Sequence, residues 1–354
     1  GNAAQVARFE LALPPRLSLF NFRIMGRFTA FLAISAAAAV PGLSQDLPAS
    51  GIINDVARIF KLNKANSEKY HWTAGPNEFF HGKTFADARV LLGTKLSDIS
   101  EHMDAVLNET MYGAIKDSDI PEEFDSRTQW PGLIHPIRDQ QQCGSCWAFS
   151  AAEVLGDRVA IATGKASPVL SPEDMVSCDR TDMGCQGGQL GAAWSYLQKS
   201  GIVSDACFPY TAGAGKAPQC TQKCADSESF TASKVKAKTA YAINGEVNMQ
   251  KEIMTNGPIQ VAFKVFKSFM NYKSGIYQKH FYELLPEGGH AVKVVGWGTE
   301  NGMKYWTVAN SWNTNWGEDG FFRIKRGSNS CGIEKMGPPY AGMPEVGASD
   351  LFVV

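Results

Sequence analysis

Downstream of residue 146, apolar side chains recur at Ala148, Ala152, Leu155, Val159 and Ala160, three or four positions apart, and Gly164 follows. That spacing lines one face of an α-helix, and a glycine just past the end is a common stop. Two shorter helices are predicted next. Ser171-Pro172-Glu173-Asp174 sets a capping hydroxyl before a proline in the first turn, and the periodic stretch 190–200 ends at Gly201. Past about residue 230 the apolar pattern becomes strand-like: runs at 259–265, 291–295, 305–308 and 321–324 are bounded by glycines. One helix, about 247–256, interrupts them and stops at Gly257-Pro258. The expectation is an α+β chain, with a mostly helical lobe over about 130–230 and a strand-rich lobe over about 231–335 that also takes an N-terminal strand.

Upstream the pattern is different. Residues 28–40 form an alanine-rich apolar stretch behind Met25 and Arg27, with Ala37, Ala39 and Gly42 as small residues for cleavage. This reads as a secretory signal peptide over 25–44, too short to span a membrane; a buried helix is the other reading. Residues 1–24 stand as an upstream extension or an artefact of the gene boundary. Residues 45–118 are polar and amphipathic, with Ile52, Ile53, Val56, Ile59 and Phe60 at helical spacing and one glycosylation sequon, Asn108-Glu109-Thr110.

Composition narrows the partners. The chain is 44% apolar and 19% charged, which suffices for a full core without a metal or organic cofactor. A net charge of −1 leaves no basic footprint for nucleic acid or an anionic membrane. All eight cysteines follow residue 142, a clustering that suits disulfides in an oxidising compartment.

The candidate chemistry starts at Cys146, in Gln140-Gln141-Gln142-Cys143-Gly144-Ser145-Cys146-Trp147. A thiol in the first turn of a helix meets unpaired backbone N–H groups and the positive end of the helix dipole, which favour the thiolate. Cys143-x-x-Cys146 also has the spacing of a redox pair or half a zinc site, but no βαβ context and no second matching pair accompany it. Among six histidines, His290 stands out. Gly288 and Gly289 precede it and a β-branched run follows, so the ring is placed at a strand start, 144 residues after the thiol (290 − 146). His135 and His280 read as solvated loop positions, and His71, His81 and His102 lie before residue 118. Asn310, ending the apolar run 305–309, can accept the second imidazole N–H and fix the tautomer, with Trp312 covering that bond. The Gln140 amide and the backbone N–H of Cys146 can both point at the oxygen of a tetrahedral intermediate.

These segments, with Gly184-Cys185-Gln186-Gly187-Gly188, Asn310-Ser311-Trp312-Asn313-Thr314-Asn315-Trp316-Gly317 and Cys331-Gly332-Ile333-Glu334, resemble the papain superfamily of cysteine proteases, and within it the cathepsin B group. The likeness runs from about Trp72 to about Pro344. It implies a two-lobe fold with a β-barrel-like right lobe and the active-site cleft between the lobes. It implies an inhibitory propeptide over 45–118, lying backwards through the cleft, and a mature peptidase over 119–354. It also implies the pairs Cys143–Cys185, Cys178–Cys220 and Cys207–Cys224, with Cys331 free and buried.

Substrate contacts carried over are Gly187, Gly188, Gln189, Leu190, Ala262, Gly289, Ala291, Trp312 and Met336. The partners implied are peptide and protein substrates, the chain's own propeptide and cystatin-type inhibitors, the enzyme being a monomer in a lysosome, a lysosome-like vacuole or the extracellular space. Two departures matter. The stretch 211–219, where that group carries a long histidine-bearing loop that captures a peptide's C-terminal carboxylate, is short and lacks histidine. Met336 stands where an acidic residue would accept arginine at P2, the second substrate residue before the cleaved bond, and Glu334 is the nearby acid. A catalytically silent binding or matrix relative and a Cys/His acyltransferase of the transglutaminase kind are the competing classes. Intact Cys146, His290, Asn310 and Gln140 argue against the first, and the long motifs against the second.

Overall fold

The structure is a computed structural model that describes residues 51–95, 112–225 and 229–346. The signal-peptide reading, residues 1–24 and the sequon at Asn108 lie outside the described residues.

Before the lobes come α1 (Val56–Lys69), β1 (Trp72–Ala74) and α2 (Phe85–Arg89), and then β2 (Phe124–Asp125) and α3 (Ser126–Gln129). The left lobe holds α4 (Cys146–Thr163), α5 (Pro172–Cys178) and α6 (Leu190–Lys199). The right lobe adds β3 (Tyr241–Ala242), α7 (Glu246–Asn256), β4 (Ile259–Val265), β5 (Tyr272–Tyr277), β6 (Gly288–Glu300), β7 (Met303–Ala309), β8 (Phe321–Lys325) and β9 (Tyr340–Ala341). The helix boundaries follow local chemistry. Ser171 accepts a bond from Asp174 N at the start of α5, with Pro172 in its first turn. Gly164 ends α4 in the left-handed conformation (φ 65°), where a side chain would be strained.

The sheet runs β1-β5-β8-β7-β6-β4-β9-β3, with β2 paired to β6; β5 and β8 are parallel and the other pairs antiparallel. This corrects the barrel-like right lobe expected from the sequence, because the path is open. Closure requires the two edges to meet in a consistent stagger. Here one edge is the two-residue β3, and the other is β1, a short strand from the segment before the lobes whose register slips between Thr73 and Ala74.

Alternation along β6 assigns its faces. Val292 and Val294 join the right-lobe core with Phe263, Phe269 and Trp312. Ala291, opposite Ala262 of β4, joins the left-lobe core around Trp147, Leu155 and Trp194. Polar bolts cross this seam: Gln260 Nε2 donates to Trp147 O (2.9 Å) and Ser150 Oγ (2.8 Å), and Arg158 of α4 donates to Pro258 O (2.8 Å) while pairing with Glu252 (2.6 Å).

Three readings are corrected by packing. In α1, Val56 and Phe60 are 81% and 69% exposed, and the buried face is instead Arg58, Leu62 and Asn66. The polar residues are buried because they have partners: Arg58 donates to Asn271 Oδ1 (2.9 Å) and Lys267 O (2.8 Å), and Asn66 Oδ1 meets His280 Nε2 (2.8 Å). His280 is therefore fully buried rather than a solvated loop residue. His135 is also largely enclosed, held between Asp157 Oδ1 (2.8 Å) and Ser167 O (3.0 Å).

Candidate active site

Cys146 is the first residue of α4, fully buried. The preceding Ser145 does not cap the helix with its side chain, which bonds Tyr210 Oη instead (2.8 Å), so the first-turn N–H groups keep their positive face. The sulfur lies against the backbone of Ala291, which puts the start of β6 beside the start of α4. Burial pushes the thiol pKa up, with a bond to Thr94 as the main opposing influence.

His290 comes from the opposite lobe, on β6, opposite Phe263 in register. Its Nε2 lies 2.7 Å from Asn310 Oδ1, an oxygen that also accepts Ser311 N (2.9 Å). Because that oxygen only accepts, Nε2 carries the proton and Nδ1 is the basic nitrogen. Nδ1 is buried and makes no hydrogen bond. Trp312 stacks on the ring (4.8 Å between centroids, 28° between planes) and closes it from water. Burial lowers the His290 pKa to about 4, partly offset by Asn310. Gln140 is held rigidly: its Oε1 accepts Ser311 Oγ (2.7 Å), its N donates to Ser311 O (2.9 Å), and its Nε2 donates to Cys143 O (2.8 Å). Cys146 and Gln140 on one side and His290 with Asn310 on the other are thus joined through Ala291 and Ser311.

The family model described as "Papain family cysteine protease" matches residues 120–338. This chain belongs to the papain family of cysteine proteases. It is similar to cathepsin B-like cysteine proteinase 6 of Caenorhabditis elegans, 44% identical over an alignment covering 62% of this chain and 65% of that protein. It is also similar to cathepsin B-like CP2 of Giardia intestinalis, at 40% identity over 88% of this chain and 98% of that protein. Among solved structures, procathepsin B S9 from Trypanosoma congolense superposes with a TM-score of 0.74 and 34% identity, covering 83% of this chain and all of that one. The chain is a cathepsin B-like cysteine protease in its zymogen form.

The zymogen character is visible in the cleft. Thr94 N donates to Gly289 O (3.1 Å), Lys95 N to Gly188 O (3.0 Å), and Gly188 N to Gly93 O (2.8 Å). Gln140 Nε2 donates to Leu91 O (3.0 Å), and Thr94 Oγ1 sits 3.2 Å from the Cys146 sulfur. The carbonyl held by Gln140 is that of Leu91, whereas Gly93 and Thr94 lie on the sulfur, so the segment blocks the site with different residues on the two groups. Gly93 is obligatory: a Cβ there would lie 1.8 Å from Gly144 O. Phe79 and Phe80 cover Trp312 (6.2 and 5.4 Å between centroids).

The other residues singled out from the sequence have differing surroundings. Gly187 passes so close to the propeptide that a Cβ would meet Gly93 O at 2.3 Å, and Gly188 packs on Trp147 and Asp182. Gln189 N donates to Asp182 Oδ1 (2.8 Å), and Gln189 precedes Leu190, which is buried in the left-lobe core. Burial raises the Asp182 pKa to about 7 despite that bond. Met336 follows a turn closed by its N–H on Gly332 O (2.7 Å). Glu334 is already occupied, accepting from Trp306 Nε1 (3.1 Å), Gly327 N (2.6 Å) and Asn329 N (2.7 Å). Disulfides join Cys143–Cys185, Cys178–Cys220 and Cys207–Cys224, and Cys331 is free and buried. No group of three or more His, Cys, Asp or Glu side chains that could hold a metal ion occurs among the described residues. Sequence reasoning missed Ser311, which supports Gln140, and Glu173, which accepts Thr211 N (2.5 Å) and Ala212 N (2.8 Å).

Proposed function

We propose that the mature enzyme is an endopeptidase in which Cys146 is the nucleophile, His290 the base and acid, Asn310 the orienting group and Gln140 the oxyanion donor. The observation carrying this reading is the imidazole fixed by Asn310 with its basic Nδ1 unpartnered, on the strand that abuts the Cys146 sulfur. Departure of the propeptide readmits water, which removes the burial penalty on both charged forms and lets the proton pass from sulfur to Nδ1. The thiolate then attacks the peptide carbonyl, and its oxygen takes the carbonyl electrons and is held by Gln140 Nε2 and the Cys146 N–H. The imidazolium gives its proton to the leaving amine as the C–N bond breaks. Water attacks the thioester with His290 taking its proton, and the acid product leaves with the thiolate restored.

Endopeptidase action rests on the loop 211–219. Its first residues are pinned to the left lobe by the buried Glu173 carboxylate, and Gln142 N donates to Gly213 O (2.9 Å). It is without histidine, so nothing on it matches a carboxylate-capturing imidazole. At P2, Met336 offers no charge and Glu334 is consumed by three donors, so Leu, Val or Phe is preferred over Arg, whose burial without a partner is unfavourable. Synthesis through the secretory route, with final residence in a lysosome, a lysosome-like vacuole or outside the cell, accords with the three disulfides. The test is one substrate series, with free or amidated C-termini and with Phe or Arg at P2. Equal kcat/KM for the free and amidated forms and a higher kcat/KM for Phe support the reading; strict dependence on the free carboxylate, or parity of Arg with Phe, refutes the corresponding part.

A further inference from the structure

Lys293 is 1% exposed, on β6 three residues beyond His290, and points at α4. Its ammonium lies 2.8 Å from Asp157 Oδ2 and 3.4 Å from Glu153 Oε2. Both acids are on the helix that begins with Cys146, and Cys146, Ser150, Glu153 and Asp157 follow one another at steps of four, three and four, which is a single helical face. Asp157 is shared with His135, which offers both its backbone N–H and Nδ1 to Oδ1 (2.8 Å each). Arg138 is the other nearby cation, itself paired with Asp205 (2.6 Å). Glu153 Oε1 is buried with no partner.

Burial works against the ammonium, but Asp157 and Glu153 more than offset it and hold the Lys293 pKa above its ordinary value. Burial pushes Glu153 up, with Lys293 as its chief counterweight. Such clusters are poor investments for stability alone, since apolar side chains of like volume commonly do as well or better. What an ion pair adds is register. Strand pairing already holds β6 in register with β4 and β7; a cation between two fixed carboxylates adds one defined position against α4, which the small alanines of the seam leave less sharply set.

We infer that Lys293 is a positioning residue: clamped by Glu153 and Asp157, it fixes β6 along α4 and thereby holds His290 opposite Cys146. The inference rests on the protease reading above. Lys293 touches no substrate; it acts through the strand that carries the imidazole, about 10 Å along the chain.

The test uses the activated enzyme as parent, Lys293→Gln, Lys293→Arg and Glu153→Gln, with working sites counted by titration with a thiol-directed peptidyl epoxide. Lys293→Gln lowers kcat per titrated site by on the order of tenfold to a hundredfold at nearly unchanged KM, the scale of a misplaced catalytic group. It also shifts the acid limb of Cys146 alkylation by iodoacetamide toward neutral pH, because the imidazolium no longer sits on the thiolate. Lys293→Arg, able to bridge both acids, restores kcat and the profile. Glu153→Gln, which leaves Asp157 in place, shows a smaller fall, and it decides the matter alone should Lys293→Gln fail to fold. Parent kcat and parent alkylation profile in folded Lys293→Gln, or in Glu153→Gln where that decides, overturn the inference, as does failure of arginine to rescue. An untitratable parent would instead overturn the protease reading.

Discussion

Replacing Gly93 by alanine tests how the zymogen is kept silent. The added methyl would sit 1.8 Å from Gly144 O, 2.4 Å from its carbonyl carbon and 2.7 Å from its Cα. The closest carbon–oxygen contacts between strands are about 3.3 Å, so the segment must lift by more than an ångström. Gly144 cannot retreat, because its own N–H is tied to Cys185 O (3.1 Å) beside the Cys143–Cys185 bridge. Lifting breaks the bonds that seat the segment: Gly188 N to Gly93 O, Thr94 N to Gly289 O, Lys95 N to Gly188 O, and Gln140 Nε2 to Leu91 O. At about 0.5–1.5 kcal/mol each, these four are worth roughly 2–6 kcal/mol, or about 30-fold to 10⁴-fold in the population of the open cleft. The assay is the rate at which a thiol-directed epoxide labels Cys146 in the uncleaved, full-length zymogen, with Val90→Ala, a half-exposed neighbour, as control. Labelling of Gly93→Ala should rise by that factor until it reaches the rate of the activated enzyme, while the control stays at the parent rate. Parent-like labelling of a folded Gly93→Ala zymogen would refute the account of the block.

Two further outcomes follow from the buried imidazole. Asn310→Ala strands the Nε2–H of His290 and the N–H of Ser311, at about 1–3 kcal/mol for each unsatisfied group; kcat of the activated enzyme should fall about 5-fold to 150-fold or more with KM little altered, and an unchanged kcat would show that Asn310 is not the orienter. In the zymogen, the pKa of His290 is lowered from 6.5 to about 4, so between those values the unfolded chain binds the extra proton and the folded one does not. That stabilising contribution is complete above pH 6.5 and is lost as the pH falls toward 4, which favours opening in acid. Asp182 and Glu252, raised to about 7 and 8, act in the opposite sense, so the measurement is a difference. The Tm of the parent zymogen should fall relative to that of His290→Asn between pH 6.5 and 4, and parallel curves would exclude the effect.

Much of the molecule was legible one segment at a time. The first turn of α4, the Ser171 cap, the stop at Gly257 and the β-branched core of β6 are local signals, carried by residues within a few positions of one another. The strand β5 was not, because Lys273, Ser274 and Gly275 break its pattern; it exists through pairing with β1 and β8. The face of α1 was misjudged for a related reason. Hydrophobicity pointed to Val56 and Phe60, but the burial of Arg58 and Asn66 depends on Asn271, Lys267 and His280, some 200 residues away.

By itself, then, the sequence determined the element types, the residues able to do thiol chemistry and the family that carries them, since these depend on side-chain identity and short-range spacing. Tertiary structure alone decided what each of those groups meets. It set the proton of His290 toward Asn310, put Leu91 O on the Gln140 donor, consumed Glu334, left the sheet open and trapped Lys293 between two acids. Each of these is a question of which partner reaches a buried polar group first, and that competition is settled only when distant segments are packed against one another.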